Sequence, residues 1–168
     1  MFLILSRNNI LNLRMKILDE PKAIRLKIMD FLSRREHSAK EIFQKMSPRV
    51  ESKDMLLDSI NELLKDGLLS DERFAESYLQ SRKVRGYGPV RIRNELKQRG
   101  IDDQIFYSLS SEVEWSEIAL EALKKKVRGV MPSETKDILK LKRFLNYRGF
   151  DFQDIDQAFQ NIKNELGH

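Results

Sequence analysis

The feature that most restricts how this chain can fold is a helix-stopping step that occurs twice in nearly the same words. Glu95-Leu96-Lys97-Gln98-Arg99-Gly100-Ile101-Asp102 and Phe144-Leu145-Asn146-Tyr147-Arg148-Gly149-Phe150-Asp151 carry Leu, Arg, Gly and Asp at identical offsets, with an apolar residue after each glycine. Such a step ends a helix on a left-handed glycine, anchors the chain with an apolar side chain and opens the next helix on an Asp N-cap. The interval from Gly100 to Gly149 falls within the range of helical repeat arrays.

The rest of the pattern agrees. Apolar residues recur at helical spacing: Ala23, Ile24, Ile28, Phe31 and Leu32; Leu56, Ile60, Leu63 and Leu64; Phe74, Ala75, Tyr78 and Leu79. Further stripes follow at Ile92 and Leu96, Ile105 to Leu109, Ile118 to Leu123, Leu141 to Leu145 and Ile155 to Ile162. Ser38 with Glu41 three residues later reads as a capping box, and Ser47-Pro48-Arg49-Val50 stands where the first third lacks the glycine step. The expected fold is all-α: three tandem three-helix, helix-turn-helix-like repeats near 22–69, 71–112 and 113–165, stacked into an elongated, curved array. Residues 1–21 are expected to lie outside the repeats, with Met15 a candidate initiator.

Composition narrows the chemistry. The 168 residues contain no cysteine, which excludes disulfides, thiolate metal sites and a cysteine nucleophile. His37 and His168 are the only histidines, so a multi-histidine zinc site is excluded, and His37 beside the capping Ser38 reads as a surface residue. No nucleophile–base pair or metal cluster is evident. Asp71-Glu72 and Asp102-Asp103 fall at helix starts, where capping accounts for them. A non-enzymatic protein without metal or cofactor is expected. No segment reaches the ~18 apolar residues of a membrane span. Phe2-Leu3-Ile4-Leu5 is too short for a secretory core, so a cytoplasmic location is expected.

The net charge of +5 is unevenly distributed. From Arg82 to Arg99 seven basic residues face one acid, Glu95; from Lys124 to Arg148 nine basic residues, Lys136 and Lys142 among them, face Glu134 and Asp137. Clustering of this kind suits an acidic partner, protein or phosphate. The candidate binding residues are Arg82, Lys83, Arg85, Tyr87, Arg91, Arg93, Lys97, Arg99, Lys124, Lys125, Lys126, Arg128, Lys140, Arg143 and Arg148. Arg93 and Lys97 share a helix face, and replacing Arg91, Arg93 and Lys97 by Glu is expected to weaken binding without unfolding the chain. Lys124 to Arg128 also suit a helix C-terminus. Gly86-Tyr87-Gly88-Pro89 lacks the strand and the Gly-Lys-Ser/Thr of a phosphate-binding loop, so it reads as a tight turn with Pro89 opening a helix and Tyr87 exposed. Trp115 reads as packing.

Residues 71–102 carry a more specific pattern. Asp71-Glu72-Arg73-Phe74-Ala75, Arg82, Gly86-Tyr87-Gly88-Pro89-Val90-Arg91-Ile92-Arg93-Asn94-Glu95-Leu96 and Arg99-Gly100-Ile101 together resemble the central motif of the RecX family of recombinase regulators. Leu32-Ser33-Arg34-Arg35-Glu36-His37-Ser38 and Leu63-Leu64-Lys65-Asp66-Gly67-Leu68-Leu69-Ser70-Asp71 resemble that family's first repeat. The resemblance spans residues 22–165 and is most specific in the middle. It implies a cytoplasmic bacterial protein that binds RecA recombinase, lodges in the groove of the RecA–DNA filament and inhibits strand exchange and ATP hydrolysis. The setting would be DNA repair, recombination and the SOS response, and a monomer with at most weak contact to single- or double-stranded DNA is expected. Read from the residues alone, a sequence-independent DNA-binding helix-turn-helix module stays open beside it.

Overall fold

The computed structural model describes residues 17–166; Met15 and the rest of residues 1–16 lie outside the described residues. The described chain is nine α-helices in three sets of three. They are α1 (Pro21–Leu32), α2 (Ala39–Met46) and α3 (Lys53–Lys65); α4 (Asp71–Val84), α5 (Pro89–Gln98) and α6 (Asp103–Ser110); α7 (Trp115–Val127), α8 (Thr135–Tyr147) and α9 (Phe152–Leu166). Contacts divide the chain into two compact units, one through Phe74 and one from Ala75, so the division falls inside α4.

In the first unit, Ile24, Ile28, Ile42, Met46, Leu56, Ile60, Leu63 and Leu69 form the core. Burying side chains of this size stabilises by about 1.5–3 kcal/mol each before chain entropy is charged against them. Ser38 caps α2 by accepting from the Glu41 N–H, and Ser52 caps α3 by accepting from the Met55 N–H. A 3-10 turn, Ser47–Arg49, takes the place of the glycine step, and Val50 after it is buried as the apolar anchor. Leu18 forms an isolated parallel bridge with Val50 and packs on this core. The stretch expected to lie outside the repeats therefore joins the first unit from Leu18 onward, and α1 opens at Pro21. Asp71 starts α4 as expected, but its carboxylate accepts from the Ala39 N–H and so caps α2 as well.

His37 corrects the surface expectation: it is 2% exposed. Its ring sits 6.0 Å from that of Phe31, with Nδ1 3.0 Å from the Arg35 carbonyl and Nε2 2.8 Å from Lys45 Nζ. A neutral imidazole donating from Nδ1 and accepting at Nε2 satisfies both contacts, and burial pushes its pKa down.

In the second unit the repeated step does what its residues dictate. Gly100 and Gly149 have φ of 84° and 93°. The Ile101 and Phe150 amides reach back to the Leu96 and Leu145 carbonyls, closing the helix ends, and both side chains are buried. Asp102 then caps α6 through the Gln104 N–H, and the Asp151 carboxylate accepts from the Asp154 N–H at the start of α9. Leu123, Leu145, Phe150, Ile155, Ala158, Phe159 and Ile162 form the core of α7–α9, with Trp115 packed against it.

Candidate partner-binding surface

The turn Gly86-Tyr87-Gly88-Pro89 is where the two basic stretches meet. Gly86 takes φ of 71°, while Gly88 has an ordinary φ and is needed for another reason. A Cβ on Gly88 would lie 2.4 Å from the Gly149 backbone, and one on Gly149 would lie 2.4 Å from Arg91 Cβ. That close approach lets the Gly88 N–H donate to the Arg148 carbonyl (2.9 Å) and the Val90 N–H to the Gly149 carbonyl (3.0 Å). Donors left over at the start of α5 thus satisfy acceptors left over at the end of α8, with the positive end of one helix dipole on the negative end of the other. The glycine-rich turn is a docking point between helix ends.

Around it, arginines alternate with aromatic rings. Arg91 lies 4.4 Å from the Tyr87 ring centroid and 5.8 Å from that of Tyr147; Arg148 lies 5.3 Å from Tyr87 and 4.7 Å from Phe144. Arg82 and Arg99 lie 4.8 and 4.7 Å from the Tyr78 ring. Arg82 also approaches Tyr87 at 5.5 Å, so Tyr87, expected to be exposed, is half-buried under three guanidinium groups. Glu95 holds the cluster together. Its Oε2 accepts from the Tyr78 hydroxyl at 2.7 Å and lies 2.8 Å from Arg82 Nε, and its Oε1 accepts from Arg91 Nε at 3.0 Å. Burial alone would raise the Glu95 carboxyl, but these donors and the charges of Arg82 and Arg91 together hold it below the usual range. The one acid in the first basic stretch is therefore its organising residue, a role that its i, i+4 spacing from Arg91 signals in part.

Arg82 and Arg91 are tied to Glu95; Arg93 makes a two-pronged pair with Asp103 at 3.0 and 2.6 Å; and Arg99 donates to the Glu95 carbonyl at 2.8 Å. Lys97 is 4.0 Å from Asp103. Arg148 donates to the Arg85 and Gly86 carbonyls at 2.6 and 3.0 Å. Lys124 pairs with Glu121 and Glu165, Lys140 with Asp137 and Lys142 with Asp156. Reversing Arg91, Arg93 and Lys97, expected to weaken binding without unfolding the chain, also carries a structural cost. A carboxylate in place of Arg91 would face Glu95, and one in place of Arg93 would face Asp103. By contrast Lys83, Arg85, Lys125, Lys126, Arg128 and Arg143 make no ion pair among the described residues, and all but the half-buried Lys83 are exposed.

Four of those six line one cleft. A concavity of about 640 Å³ opens between the end of α4, α7 and α8. Lys83, Arg85, Lys125, Lys126 and Arg148 line it, over apolar walls of Val84, Ile118, Ala122 and Phe144. Glu117 and Glu121 are its acids, and Glu121 is engaged by Lys124. Two basic stretches separated by residues 100–123 of the sequence thus converge on one surface. Among the described residues no group of three or more His, Cys, Asp or Glu could hold a metal ion. No described helix is long and apolar enough to cross a membrane.

Comparison with known proteins agrees with this architecture. Residues 70–106 match RecX, second three-helix domain, and residues 112–159 match RecX, third three-helix domain. A Regulatory protein RecX from Pseudomonas entomophila is 40% identical over 141 residues, covering 83% of this chain and 91% of that protein. One from Pseudomonas putida is 41% identical over 138 residues, covering 80% and 87%. The crystal structure of RecX from Lactobacillus salivarius superposes with a TM-score of 0.74 at 25% identity, covering 88% of this chain and 96% of that one. With two consecutive three-helix domains matched in order, and relatives of this identity over most of both chains, the protein belongs to the RecX family of regulatory proteins.

Proposed function

We propose that this chain regulates RecA: it binds RecA and the groove of the RecA–DNA filament and inhibits strand exchange and ATP hydrolysis. It acts by occupancy and without catalysis or a cofactor, as a cytoplasmic monomer, within DNA repair, recombination and the SOS response. The observation that carries this reading is the convergence of both basic stretches on one cleft of the second unit, in a chain of the RecX family. Unpaired lysines and arginines on such a surface attract acidic protein and phosphate alike, and a filament of RecA on DNA offers both. Occupying the groove excludes incoming duplex and restrains the subunit movements of ATP turnover. Contacts repeated over neighbouring protomers add through effective concentration.

The test is DNA-dependent ATP hydrolysis by RecA. Substoichiometric chain is expected to slow it, and unchanged hydrolysis at equimolar chain overturns the reading. Lys125→Glu with Lys126→Glu is the variant to compare, since both side chains are exposed and neither is held by an internal ion pair. Binding to RecA in the absence of DNA separates this function from that of a plain DNA-binding module.

A further inference from the structure

The cleft between the end of α4 and the α7–α8 pair has a composition that a bare anion site does not need. Its cations surround an aromatic and aliphatic wall. Phe144 is half-buried, with the Arg148 guanidinium 4.7 Å and the Lys126 ammonium 5.2 Å from its ring centroid. Arg148 is fixed there by the Arg85 and Gly86 carbonyls, whereas Lys126 is exposed and held by no ion pair. Val84, at the end of α4, also lines the cleft and is 79% exposed. The volume of about 640 Å³ lies within the ~300–1,000 Å³ of small-ligand sites. The backbone of the glycine turn contributes no phosphate cradle, because the Gly88 and Val90 N–H groups are spent on α8.

We propose that this cleft binds a phosphorylated nucleoside, the base replacing the Lys126 ammonium over Phe144 and packing toward Val84, the phosphate drawn to Lys83, Arg85, Lys125 and the displaced Lys126. Base stacking on an aromatic ring beside a cationic track is the physical basis of single-strand binding without sequence preference. The same chemistry is offered by a segment of single-stranded DNA and by a free nucleotide. The inference deepens the basic-surface reading above by naming what the cleft itself accepts, and it requires no RecA.

The experiment is fluorescence anisotropy of the full chain with a labelled oligo-thymidylate of about 15 nucleotides at about 50 mM salt. Lys125→Glu with Lys126→Glu is expected to weaken binding by about tenfold or more, while Lys40→Glu with Lys53→Glu, an equal charge change on exposed lysines of the first unit, leaves it unchanged. Phe144→Leu is expected to weaken binding by about fivefold or more with the salt slope retained, and Phe144→Tyr, which keeps the ring, to bind like the parent chain. ATP displacing the strand supports the proposal with a free nucleotide as a source. Displacement by unlabelled strand but not by ATP supports it with the strand as the source. Equal losses in the two double-lysine variants, full affinity in Phe144→Leu, or displacement by inorganic tripolyphosphate as effective as by strand would each overturn it. A chain that binds strand as described yet leaves RecA hydrolysis unchanged overturns the RecA reading alone, and the converse result overturns this one alone.

Discussion

Glu95 shows how a single acid can decide what a run of arginines does. Its side chain is 18% exposed and meets Tyr78, Arg82 and Arg91 at once. Replacing it with Gln keeps the shape and removes the charge, leaving Arg82 and Arg91 facing a neutral amide. Glu95→Gln is expected to cost about 1–2 kcal/mol of stability at neutral pH, read as a shift in the urea midpoint. The carboxyl titrates below its usual value in the folded chain, so its contribution is present above an unfolded pKa near 4.5 and is lost as pH falls through the folded value. The gap between parent and variant must therefore close in acid, and a gap constant with pH would show that the charge is irrelevant. Asp154 has the opposite sign. Burial first, and then neighbouring Asp151, push it up to about 6, and its Oδ2 is buried with no hydrogen-bond partner among the described residues. Because the folded value lies above the unfolded one, the chain gains stability as pH falls from about 6 toward 3.8. Asp154→Asn is expected to stabilise at pH 7 by about 1 kcal/mol after solvent screening, with the gain vanishing in acid. A variant no more stable than the parent at pH 7 contradicts that account.

At the scale of elements, the end-to-end meeting of α8 and α5 is the junction on which the candidate surface is built. It depends on the absence of side chains at Gly88 and Gly149, and a test should separate that steric demand from the backbone demand of an ordinary helix stop. Gly67 has φ of 67° with open space where a Cβ would go, so Gly67→Ala meets only the left-handed backbone penalty, about 1 kcal/mol. Gly88 has φ of −89°, which alanine adopts without strain, yet its Cβ would meet Gly149 backbone at 2.4 Å. Backbone cannot move aside as a flexible side chain can, so Gly88→Ala is expected to cost about 3 kcal/mol or more by forcing the two helix ends apart. Denaturant midpoints of the two variants decide the matter; a smaller cost at Gly88 than at Gly67 refutes the docking role. The helix stops were legible in the chain because Arg-Gly-apolar-Asp is a local code, closed within one turn. The need for Gly88 was not, since it arises from Gly149, a residue remote in sequence that the fold brings alongside.

For the whole molecule, the same distinction separates the cations that were readable as a surface from those that were not. Helical periodicity and capping reveal which residues lie on helices, and charge clustering reveals where a basic region must form. Neither reveals that Arg82 lies against Glu95, that Arg148 binds the Arg85 and Gly86 carbonyls, or that His37 is enclosed by Phe31 and Lys45. Those are tertiary pairings, and they convert much of the apparent binding face into internal scaffold. What stays unpaired is a smaller set, most of it at the cleft, and that set makes a quantitative demand on the proposed inhibition of RecA. Exposed charges act over a screening length of ~10 Å at 0.1 M salt, whereas half-buried pairs such as Arg91–Glu95 are screened far less. Raising salt from about 50 to 200 mM is therefore expected to weaken inhibition of RecA-catalysed ATP hydrolysis without loosening the fold. Lys125→Glu with Lys126→Glu must both weaken inhibition at low salt and flatten its salt dependence, because the side chains that release counterions are the ones removed. Half-inhibitory concentrations, each normalised to RecA alone at the same salt, measure this. Parallel salt curves for parent and variant would place the electrostatic contact away from the cleft.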